Sequence, residues 1–279
     1  MPAPGLSQSR DAELMSLLYQ FPPQTAYRLL QLSDCHLLAT PDAEYQQIQP
    51  YQHLKTLLQT YPASAFDAVI LTGDLTQDHS LASYQLLADL LFNWQQQQPT
   101  PVFYLPGNHD CPAMMAEAFA RTPFYAAQWL SLSGWLLGLL NSKGPTPAGE
   151  FDLTRRDALA LQLKHASTPV WLFCHHQPAP IGSFIDTLGL QQPELFWQLL
   201  AQYPQVKGLA HGHCHFAYQR AFPLPGALGR QLQIVGCPAT SVQFKQTADW
   251  QTEDLGPQAC VWTFTAGDTP AVSWEFIGL

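Results

Sequence analysis

Hydrophobic residues recur along this chain in short runs of strand length, and each run is followed by polar residues. The runs that we predict to be strands cover residues 27–33, 67–73, 101–107, 135–141, 169–174, 206–212, 231–237, 259–264 and 271–277. Segments with helical periodicity lie between the earlier runs, at residues 51–60, 80–94, 112–120, 154–165 and 193–202. Strands that first alternate with helices and then follow one another predict an α/β sandwich in four layers, with two mixed sheets flanked by helices.

The first 26 residues differ from this pattern. The stretch AELMSLLYQF (12–21) could form a short amphipathic helix, which the following FPP would end because proline cannot continue a helix. We interpret residues 1–26 as an N-terminal arm packed on the surface, with a dimer contact as the less favoured alternative. Residues 27–279 contain no internal repeat or linker, and we predict that they form one domain.

The composition argues against some classes of binding partner. The chain has 279 residues, a formal charge of −9 and no dense run of Lys or Arg, which argues against nucleic acid or an anionic membrane surface. It has no signal-peptide pattern at its start and no apolar stretch near the roughly 20 residues that span a bilayer. We therefore expect a cytoplasmic protein, monomeric or weakly dimeric, whose partner is a small molecule.

Residues able to bind metals follow several of the predicted strands, at the point where each strand ends. These groups are Asp34-Cys35-His36, Gly73-Asp74, Gly107-Asn108-His109-Asp110, His175-His176 and His211-Gly212-His213-Cys214-His215. Any one of them alone is ordinary turn or cap chemistry. Turn or cap chemistry does not explain why such groups follow five strands. In open α/β sheets, ligands bind at the carboxyl ends of the strands. The sequence therefore predicts that these side chains meet at one site.

The spacing within two of these groups supports a shared metal. In an extended backbone, the outer residues of D-x-H and H-x-H point to one face and the middle residue to the other. Asp34 and His36 are then expected to share an ion, and the outer residues of 213–215 to reach the same cluster. The intervening Cys35 and Cys214 would point away. Oxygen and imidazole ligands suit Mn, Fe or Zn in an open site rather than a closed thiolate zinc site.

The number of candidates indicates two metals rather than one. The residues that qualify as ligands are Asp34, His36, Asp74, Asn108, His175, His213 and His215. They are too many for a single ion with an open position, and they suit a pair of ions bridged by one carboxylate. Two ions about 3.5–4 Å apart can activate a water and stabilise the attacking and leaving oxygens of a phosphoryl displacement. The sequence therefore predicts hydrolysis of a phosphate ester.

In this order, the motifs D-x-H, G-D, G-N-H-D, H-H and G-H-x-H resemble the calcineurin-like metallophosphoesterase family. Within that family the chain is most similar to the bacterial cyclic-AMP phosphodiesterases. The similar stretches are LQLSDCHLLA, TGDLTQDHSLASYQ, LPGNHDCPAMM and CPATSVQFK, and the likeness covers roughly residues 27–265. The resemblance implies hydrolysis of 3′,5′-cyclic AMP to 5′-AMP through a hydroxide that bridges two metals.

The resemblance also implies a role for each residue. One metal would be held by Asp34, His36, Asp74 and His215, and the other by Asp74, Asn108, His175 and His213, with Asp74 as the bridge. His109 matches a histidine that contacts the phosphate and assists the leaving oxygen, and Asp110 would orient His109. The substrate would contact His36, Asp74, Asn108, His109, His175 and His215.

Two other functions are alternatives to this prediction. Related metallophosphoesterases act on other phosphodiesters, such as glycerophosphodiesters or nucleotide-type compounds, with the same metals and a different pocket. A non-catalytic scaffold on the same fold would be expected to lose metal ligands or the non-ligand histidine, and this sequence keeps all of them.

The remaining histidines and the cysteines are interpreted as structural. His176 and His211 are weaker candidates than the residues above, and we expect His211 to be structural or peripheral. We expect no role for the surface histidines, which are His53, His79 and His165. The cysteines beside candidate ligands are expected to fill tight buried positions, with a redox sensor as the less favoured alternative. They are Cys35, Cys111, Cys174 and Cys214. The Pro- and Gly-rich segment 178–194 could shape a substrate mouth or simply connect two elements.

Overall fold

The computed structural model describes residues 18–96, 98–126 and 128–279, and every strand and helix predicted from the hydrophobic pattern is present. The strands are β1 (Leu18–Gln20), β2 (Ala26–Leu32), β3 (Ala68–Leu71), β4 (Val102–Tyr104), β5 (Phe124–Tyr125), β6 (Trp129–Leu132), β7 (Trp135–Leu139), β8 (Gly149–Glu150), β9 (Val170–Cys174), β10 (Leu190–Gln191), β11 (Val206–His211), β12 (Tyr218–Pro223), β13 (Gln231–Gly236), β14 (Gln243–Phe244), β15 (Thr252–Glu253), β16 (Gln258–Thr265) and β17 (Ala271–Gly278). The helices are α1 (Pro50–Thr60), α2 (Leu81–Trp94), α3 (Pro112–Phe119), α4 (Leu153–His165) and α5 (Pro193–Ala201). Within the described ranges, no helix combines the length and the apolar character that a membrane crossing requires.

The strands form two large mixed sheets. One has seven strands in the order β1-β6-β7-β9-β11-β13-β12, and the other has six in the order β17-β16-β2-β3-β4-β5. In the six-stranded sheet β2, β3 and β4 are parallel, and in the seven-stranded sheet β7, β9, β11 and β13 are parallel. The loops that follow these strands therefore emerge together at the carboxyl ends of each sheet.

Three apolar clusters join four layers of structure. The central cluster lies between the two sheets, where Trp171 of β9 contacts Trp262 of β16. The outer face of the six-stranded sheet is covered by α1, α2 and α3, with Leu87 of α2 fully buried in that cluster. The outer face of the seven-stranded sheet is covered by α4 and α5, through residues such as Leu159 and Phe196. The four-layer α/β/β/α prediction is confirmed.

Proline and capping side chains set where the helices begin. Pro50, Pro112 and Pro193 each lie in the first turn of a helix, where a backbone N–H has no partner in any case. The side chains of Ser80 and Asp152 accept the backbone N–H three residues ahead at the starts of α2 and α4. Pro112 thus starts α3 directly after the GNHDC segment, so the loop that follows β4 is short.

The end of the N-terminal arm is a strand, so the prediction of a helix there is wrong for residues 18–20. β1 pairs in parallel with β6 at the edge of the seven-stranded sheet. Tyr19 packs edge-on against Phe103, and Phe21 is buried in the central cluster. These aromatic residues two apart supply the period of a strand, and their burial outweighs the local helical pattern. Residues 12–17 of the predicted helix lie outside the described residues.

Candidate metal centre

The loops after β2, β3, β4, β9 and β11 bring the predicted ligands together at one end of the two sheets. Side-chain donor atoms of Asp34, His36 and His215 lie within 4.8 Å of one another, and so do those of Asp34, Asp74 and His175. A further group within the same distance contains His175, His176 and His213. The remaining candidate, Asn108, has its Oδ1 3.0 Å from Nε2 of His175.

The backbone is left-handed at most of these positions. φ is positive at Asp34 (53°), His36 (46°), Asp74 (51°), His213 (67°) and His215 (59°). Each such residue costs roughly 1–2 kcal/mol, because its Cβ crowds the following carbonyl. The prediction that D-x-H and H-x-H are extended is therefore wrong, since the chain coils and aims each side chain separately. As a result His213 lies with His175, while His215 lies with Asp34.

Two glycines let the loops approach the carboxylates closely. A Cβ on Gly107 would lie 2.2 Å from Oδ1 and 2.4 Å from N of Asp74. A Cβ on Gly212 would lie 2.0 Å from Oγ of Ser33 and 2.7 Å from Oδ2 of Asp34. No residue with a side chain fits at either position without displacing these atoms. The glycines of G-N-H-D and of G-H-x-H therefore serve the close packing of the site.

The first group of ligands presents unprotonated nitrogens to a shared point. Nδ1 of His36 bonds Oε1 of Gln77 at 2.7 Å, and Nδ1 of His215 bonds the carbonyl oxygen of Val242 at 2.6 Å. Because those oxygens can only accept, each Nδ1 carries the proton and each Nε2 has a lone pair. The two Nε2 atoms are 3.1 Å apart, and that of His215 is 3.3 Å from Oδ1 of Asp34. Acceptors that face one another in this way repel unless a cation lies between them.

The second group repeats the arrangement. Nδ1 of His175 donates to the carbonyl oxygen of Thr72 at 2.8 Å, so Nε2 is the nitrogen that faces the cluster. That Nε2 lies 3.3 Å from Oδ2 of Asp74 and 3.0 Å from Oδ1 of Asn108. Nε2 of His213 is buried and has no hydrogen-bond partner among the described residues. A buried nitrogen left without a partner is costly, and a metal ligand position accounts for it.

The carboxylate of Asp74 lies between the two groups. Its Oδ2 is 3.8 Å from Nε2 of His36 on one side and 3.3 Å from Nε2 of His175 on the other. Its Oδ1 accepts the backbone N–H of His109 at 2.8 Å, which fixes the carboxylate plane. This is the position expected of a carboxylate that is shared by two cations.

Both carboxylates are held in the ionised form. Burial raises the pKa of Asp34, but the surrounding imidazoles, His215 first and then His175, together lower it to about 2. Burial likewise raises the pKa of Asp74, and His175 outweighs it, so that the pKa lies well below the ordinary value. Buried anions of this kind require a compensating positive charge.

The pKa values of the imidazoles are shifted in opposite directions. Burial lowers the pKa of His36 to about 3 and that of His213 well below its ordinary value, so both are neutral. Burial also lowers the pKa of His175, but the Asp74 carboxylate raises it to about 9. The field that attracts a proton to Nε2 of His175 attracts a metal cation to the same position. Ionised carboxylates and neutral imidazoles are the forms that bind divalent metals, and the cluster is therefore compatible with two of them.

His109 lies beside the ligands without the hydrogen bonds that fix them. Its ring centroid is 5.1 Å from that of His36, and a ring nitrogen lies within 4.8 Å of donor atoms of His36 and Asp74. The side chain is half-buried, and burial lowers its pKa. His109 is thus placed to contact a molecule that binds at the cluster.

Asp110 does not make the predicted contact with His109. Its carboxylate accepts the backbone N–H of Gly107 at 2.8 Å and of Leu75 at 3.1 Å, and the hydroxyl of Tyr84 at 3.0 Å. None of its hydrogen bonds goes to the imidazole of His109. Asp110 therefore ties the loop after β3 to the loop after β4.

His176 and His211 have protein partners at both ring nitrogens, as expected of structural histidines. For His176 these are Oγ of Ser142 at 2.8 Å and the carbonyl oxygen of Pro147 at 3.2 Å. For His211 they are the carbonyl oxygen of Gly212 and the hydroxyl of Tyr218. Neither histidine has a nitrogen free for a metal.

Two residues at the edge of the site were not among the predicted site residues. His79 is exposed, as predicted, yet its Nδ1 bonds the carbonyl oxygen of His109 and its ring stacks on that of His109 at 6.1 Å. Nζ of Lys143, in the loop after β7, donates to the carbonyl oxygen of Asn108 at 2.8 Å. Neither has metal-ligand spacing; the only signal for Lys143 is that it follows a predicted strand.

Aromatic rings cover two of the histidines that are predicted to bind metal. The ring of Tyr45 stacks on His36 with centroids 4.9 Å apart, and that of Phe244 stacks on His215 at 3.8 Å. Phe244 in turn contacts Phe184 of the 178–194 segment, with centroids 5.3 Å apart. That segment therefore reaches the edge of the site, as the substrate-mouth interpretation requires.

The cysteines beside the ligands are mostly buried. Cys35, Cys174 and Cys214 are buried, and Cys111 is half-buried. Burial raises the pKa of Cys35 and of Cys174 to about 12. Because the thiolate is the reactive form, these values favour the packing interpretation over a redox sensor.

Comparison with known proteins identifies similar sequences that are named as phosphodiesterases. A model of the calcineurin-like phosphoesterase family matches residues 27–217. A probable cyclic nucleotide phosphodiesterase of Pseudoalteromonas sp. (strain SM9913) is 36% identical over 234 residues, which are 84% of this chain and 86% of that protein. The 3′,5′-cyclic adenosine monophosphate phosphodiesterase CpdA of Vibrio vulnificus (strain CMCP6) is 30% identical over 234 residues, 81% of each chain.

Among solved structures, a dimetal phosphatase from Danio rerio matches with a TM-score of 0.61 at 12% identity, over 90% of this chain and 98% of that chain. At this identity the likeness shows the fold alone. The family match over residues 27–217 includes every predicted ligand, and the relative from Pseudoalteromonas matches over 86% of its own length. The chain belongs to the calcineurin-like phosphoesterase family.

Proposed function

We propose that this protein hydrolyses the phosphodiester of 3′,5′-cyclic AMP to 5′-AMP at a site that holds two divalent metals. The observation that carries the proposal is the convergence of imidazole nitrogens on the two buried carboxylates of Asp34 and Asp74. The substrate class is supported by relatives named as cyclic nucleotide or cyclic AMP phosphodiesterases, which cover most of the chain.

We assign the ligands as two sets that share Asp74. One set is Asp34, His36, Asp74 and His215, and the other is Asp74, Asn108, His175 and His213. Nitrogen and oxygen donors of this kind suit Fe, Mn or Zn. When bound, such metals supply a hydroxide nucleophile at neutral pH and positive charge for the phosphate oxygens.

The residues of the chain then position the phosphodiester and the departing oxygen. His109 is assigned the proton at the 3′ oxygen, because its half-buried imidazole lies beside His36 and Asp74 and has no hydrogen-bond partner among the described residues. Its backbone is fixed by the N–H bond to Asp74 and by the bond from His79. Such positioning removes the entropy cost of aligning substrate and catalytic group.

A small anionic substrate agrees with the charge of the chain. With a formal charge of −9 and no basic stripe, the protein would repel a polyanion such as nucleic acid. A cyclic nucleotide carries a single phosphodiester charge, which two metals and Lys143 can balance. Location in the cytoplasm and a monomeric or weakly dimeric state remain part of the proposal.

The test is hydrolysis of cyclic AMP by the purified protein, with cyclic GMP and bis-para-nitrophenyl phosphate alongside. Mn²⁺ or Fe²⁺ is added in one series and a chelator in the other. Metal-dependent release of 5′-AMP is expected. If the protein hydrolyses the aryl diester but not cyclic AMP, the dimetal site stands and the natural substrate is another phosphodiester. No turnover by a metal-loaded protein would favour a scaffold.

A further inference from the structure

Tyr45 is held directly on a ligand histidine. Its ring lies nearly parallel to that of His36, with centroids 4.9 Å apart and planes inclined by 20°. The residue is half-buried, so one face of the ring is covered by His36 while part of the side chain remains accessible.

A tight hairpin turn fixes this position. Tyr45 and Ile48 exchange backbone hydrogen bonds of 2.9 and 3.1 Å, which leaves Gln46 and Gln47 as a two-residue loop. Both loop residues have positive φ, 51° and 67°, as a type I′ turn requires. Glutamine carries a strain of roughly 1–2 kcal/mol at each such position. The chain therefore keeps a costly turn whose visible effect is to hold Tyr45 against His36.

The hydroxyl of Tyr45 is free, unlike those of the well-buried tyrosines. The hydroxyl of Tyr27 donates to the carbonyl oxygen of Pro22, that of Tyr84 to Asp110, and that of Tyr218 pairs with His211. The Tyr45 hydroxyl makes no hydrogen bond to any other described residue. Because Tyr45 is half-buried, this hydroxyl remains available to a molecule bound at the cluster.

The position of Tyr45 places its side chain beside the cluster. The ring covers His36, whose donor atoms lie within 4.8 Å of those of Asp34 and of Asp74. A tyrosine hydroxyl is protonated at neutral pH, so it is an uncharged donor beside the place where the phosphate would bind.

We propose that Tyr45 is a substrate-contacting residue whose hydroxyl donates a hydrogen bond to a non-bridging phosphoryl oxygen, while its ring braces His36. This inference rests on the proposed phosphodiesterase function, because it places the phosphate at the metal cluster. It requires no proton transfer, and it extends recognition of the phosphate to the loop after β2.

The test separates the hydroxyl from the ring. Tyr45→Phe removes only the donor and keeps the stack on His36, whereas Tyr45→Leu removes both. A hydrogen bond to a charged group is worth about 1.5–3 kcal/mol. Inorganic phosphate should therefore bind Mn²⁺-loaded Tyr45→Phe about 10- to 100-fold more weakly than wild type in calorimetry. The kcat/KM for whichever diester the wild type hydrolyses should fall by a similar factor, with unchanged metal content.

Tyr45→Leu should show the same loss and, in addition, weaker retention of metal during dialysis, because His36 is no longer braced. Tyr104→Phe is the matched control, since Tyr104 is a half-buried tyrosine that packs on Phe119 away from the site. It should leave phosphate binding and kcat/KM unchanged.

Several outcomes would overturn the inference. Wild-type phosphate affinity and kcat/KM in Tyr45→Phe would exclude the hydrogen bond. Loss of metal in Tyr45→Phe would make Tyr45 a positioning residue for His36 instead. The substrate assignment fails separately, when the loaded wild type binds phosphate but leaves cyclic AMP intact, and the phosphate comparison still decides the role of Tyr45. A loaded wild type that binds no phosphate would overturn both.

Discussion

Buried polar groups are treated differently in the core between the sheets and at the ends of the strands. In the core, Gln31 is fully buried, and its amide donates to Oγ1 of Thr72 and accepts from Nε1 of Trp262, each at 2.9 Å. At the strand ends, Nε2 of His36 and Nε2 of His215 face each other at 3.1 Å although their Nδ1 atoms carry the protons.

The difference indicates which polar groups serve stability and which serve a ligand. A buried polar group without its partner costs about 1–3 kcal/mol, so the core satisfies Gln31 within the protein. The strand ends instead leave several acceptors turned toward one point, on a backbone that is left-handed at Asp34 and Asp74. Only a bound cation offsets these costs, and at a concentration of 100 times its Kd each metal would stabilise the fold by about 2.7 kcal/mol.

The largest expected effect comes from Asp74→Ala. The change removes the carboxylate between the two ligand sets, so both metals should be lost together. Hydrolysis of bis-para-nitrophenyl phosphate should fall on the order of 10³-fold or more. Metal analysis after dialysis and the rate at saturating Mn²⁺ check this. The exposed Asp89, on α2, provides the control Asp89→Ala. A variant that kept both metals and its rate would show that Asp74 is no bridge.

Asn108→Ala should have the next largest effect. It removes one neutral oxygen ligand and leaves the buried charges in place, so the protein should fold normally and kcat should fall about 10²- to 10³-fold. Circular dichroism and steady-state kinetics measure the two parts. Asn93→Ala, at an exposed position of α2, should match the wild type. Near-wild-type activity of Asn108→Ala would remove Asn108 from the ligand set.

The sequence predicts the long strands and the ligand residues for related reasons. Apolar runs such as 169–174 identify strands because both faces of these parallel strands are buried. Polar residues directly after them are recognisable because the strand end fixes where they lie. The pattern misses short or half-exposed strands, which are β1, β5, β6, β8, β10, β12, β14 and β15. Their pairing depends on neighbours that are distant in sequence.

The details of the site depend on contacts that local sequence does not encode. The left-handed backbone at His36 follows from the fit between loops, and D-x-H spacing alone suggests an extended chain. Asp110 follows His109 directly, so adjacency suggests a pair, but Leu75 and Tyr84 take its oxygens. Tyr45 lies nine residues after His36, and only the Gln46–Gln47 turn brings it onto the ring.

The adjacent residues His175 and His176 test the difference between polar groups that face a metal and those that are satisfied within the protein. His175→Ala should lose metal and activity. His176→Ala should keep its metals but lose packing and the bonds to Ser142 and Pro147, which lowers the free energy of unfolding by about 2–3 kcal/mol. Denaturant unfolding in the presence of a chelator measures stability apart from metal binding. Equal metal loss in both variants would mean that His176 is a ligand as well.

The smallest effect concerns strain outside the ligand set. Gln47 is exposed and has φ of 67°, so replacement by glycine should relieve its backbone strain. His36 has the same left-handed backbone, but its imidazole is a proposed metal ligand and cannot be replaced without loss of the site. Gln47→Gly should raise the free energy of unfolding by about 0.5–1 kcal/mol, the strain relieved less the extra chain entropy of glycine. Gln85→Gly, at an exposed position inside α2, should lower it by about 1 kcal/mol, because a right-handed helix offers glycine no such relief. Denaturant unfolding of the two variants therefore gives opposite signs for one substitution. If both were destabilised, the 45–48 turn would not be left-handed, and strain would no longer distinguish this turn from the rest of the surface.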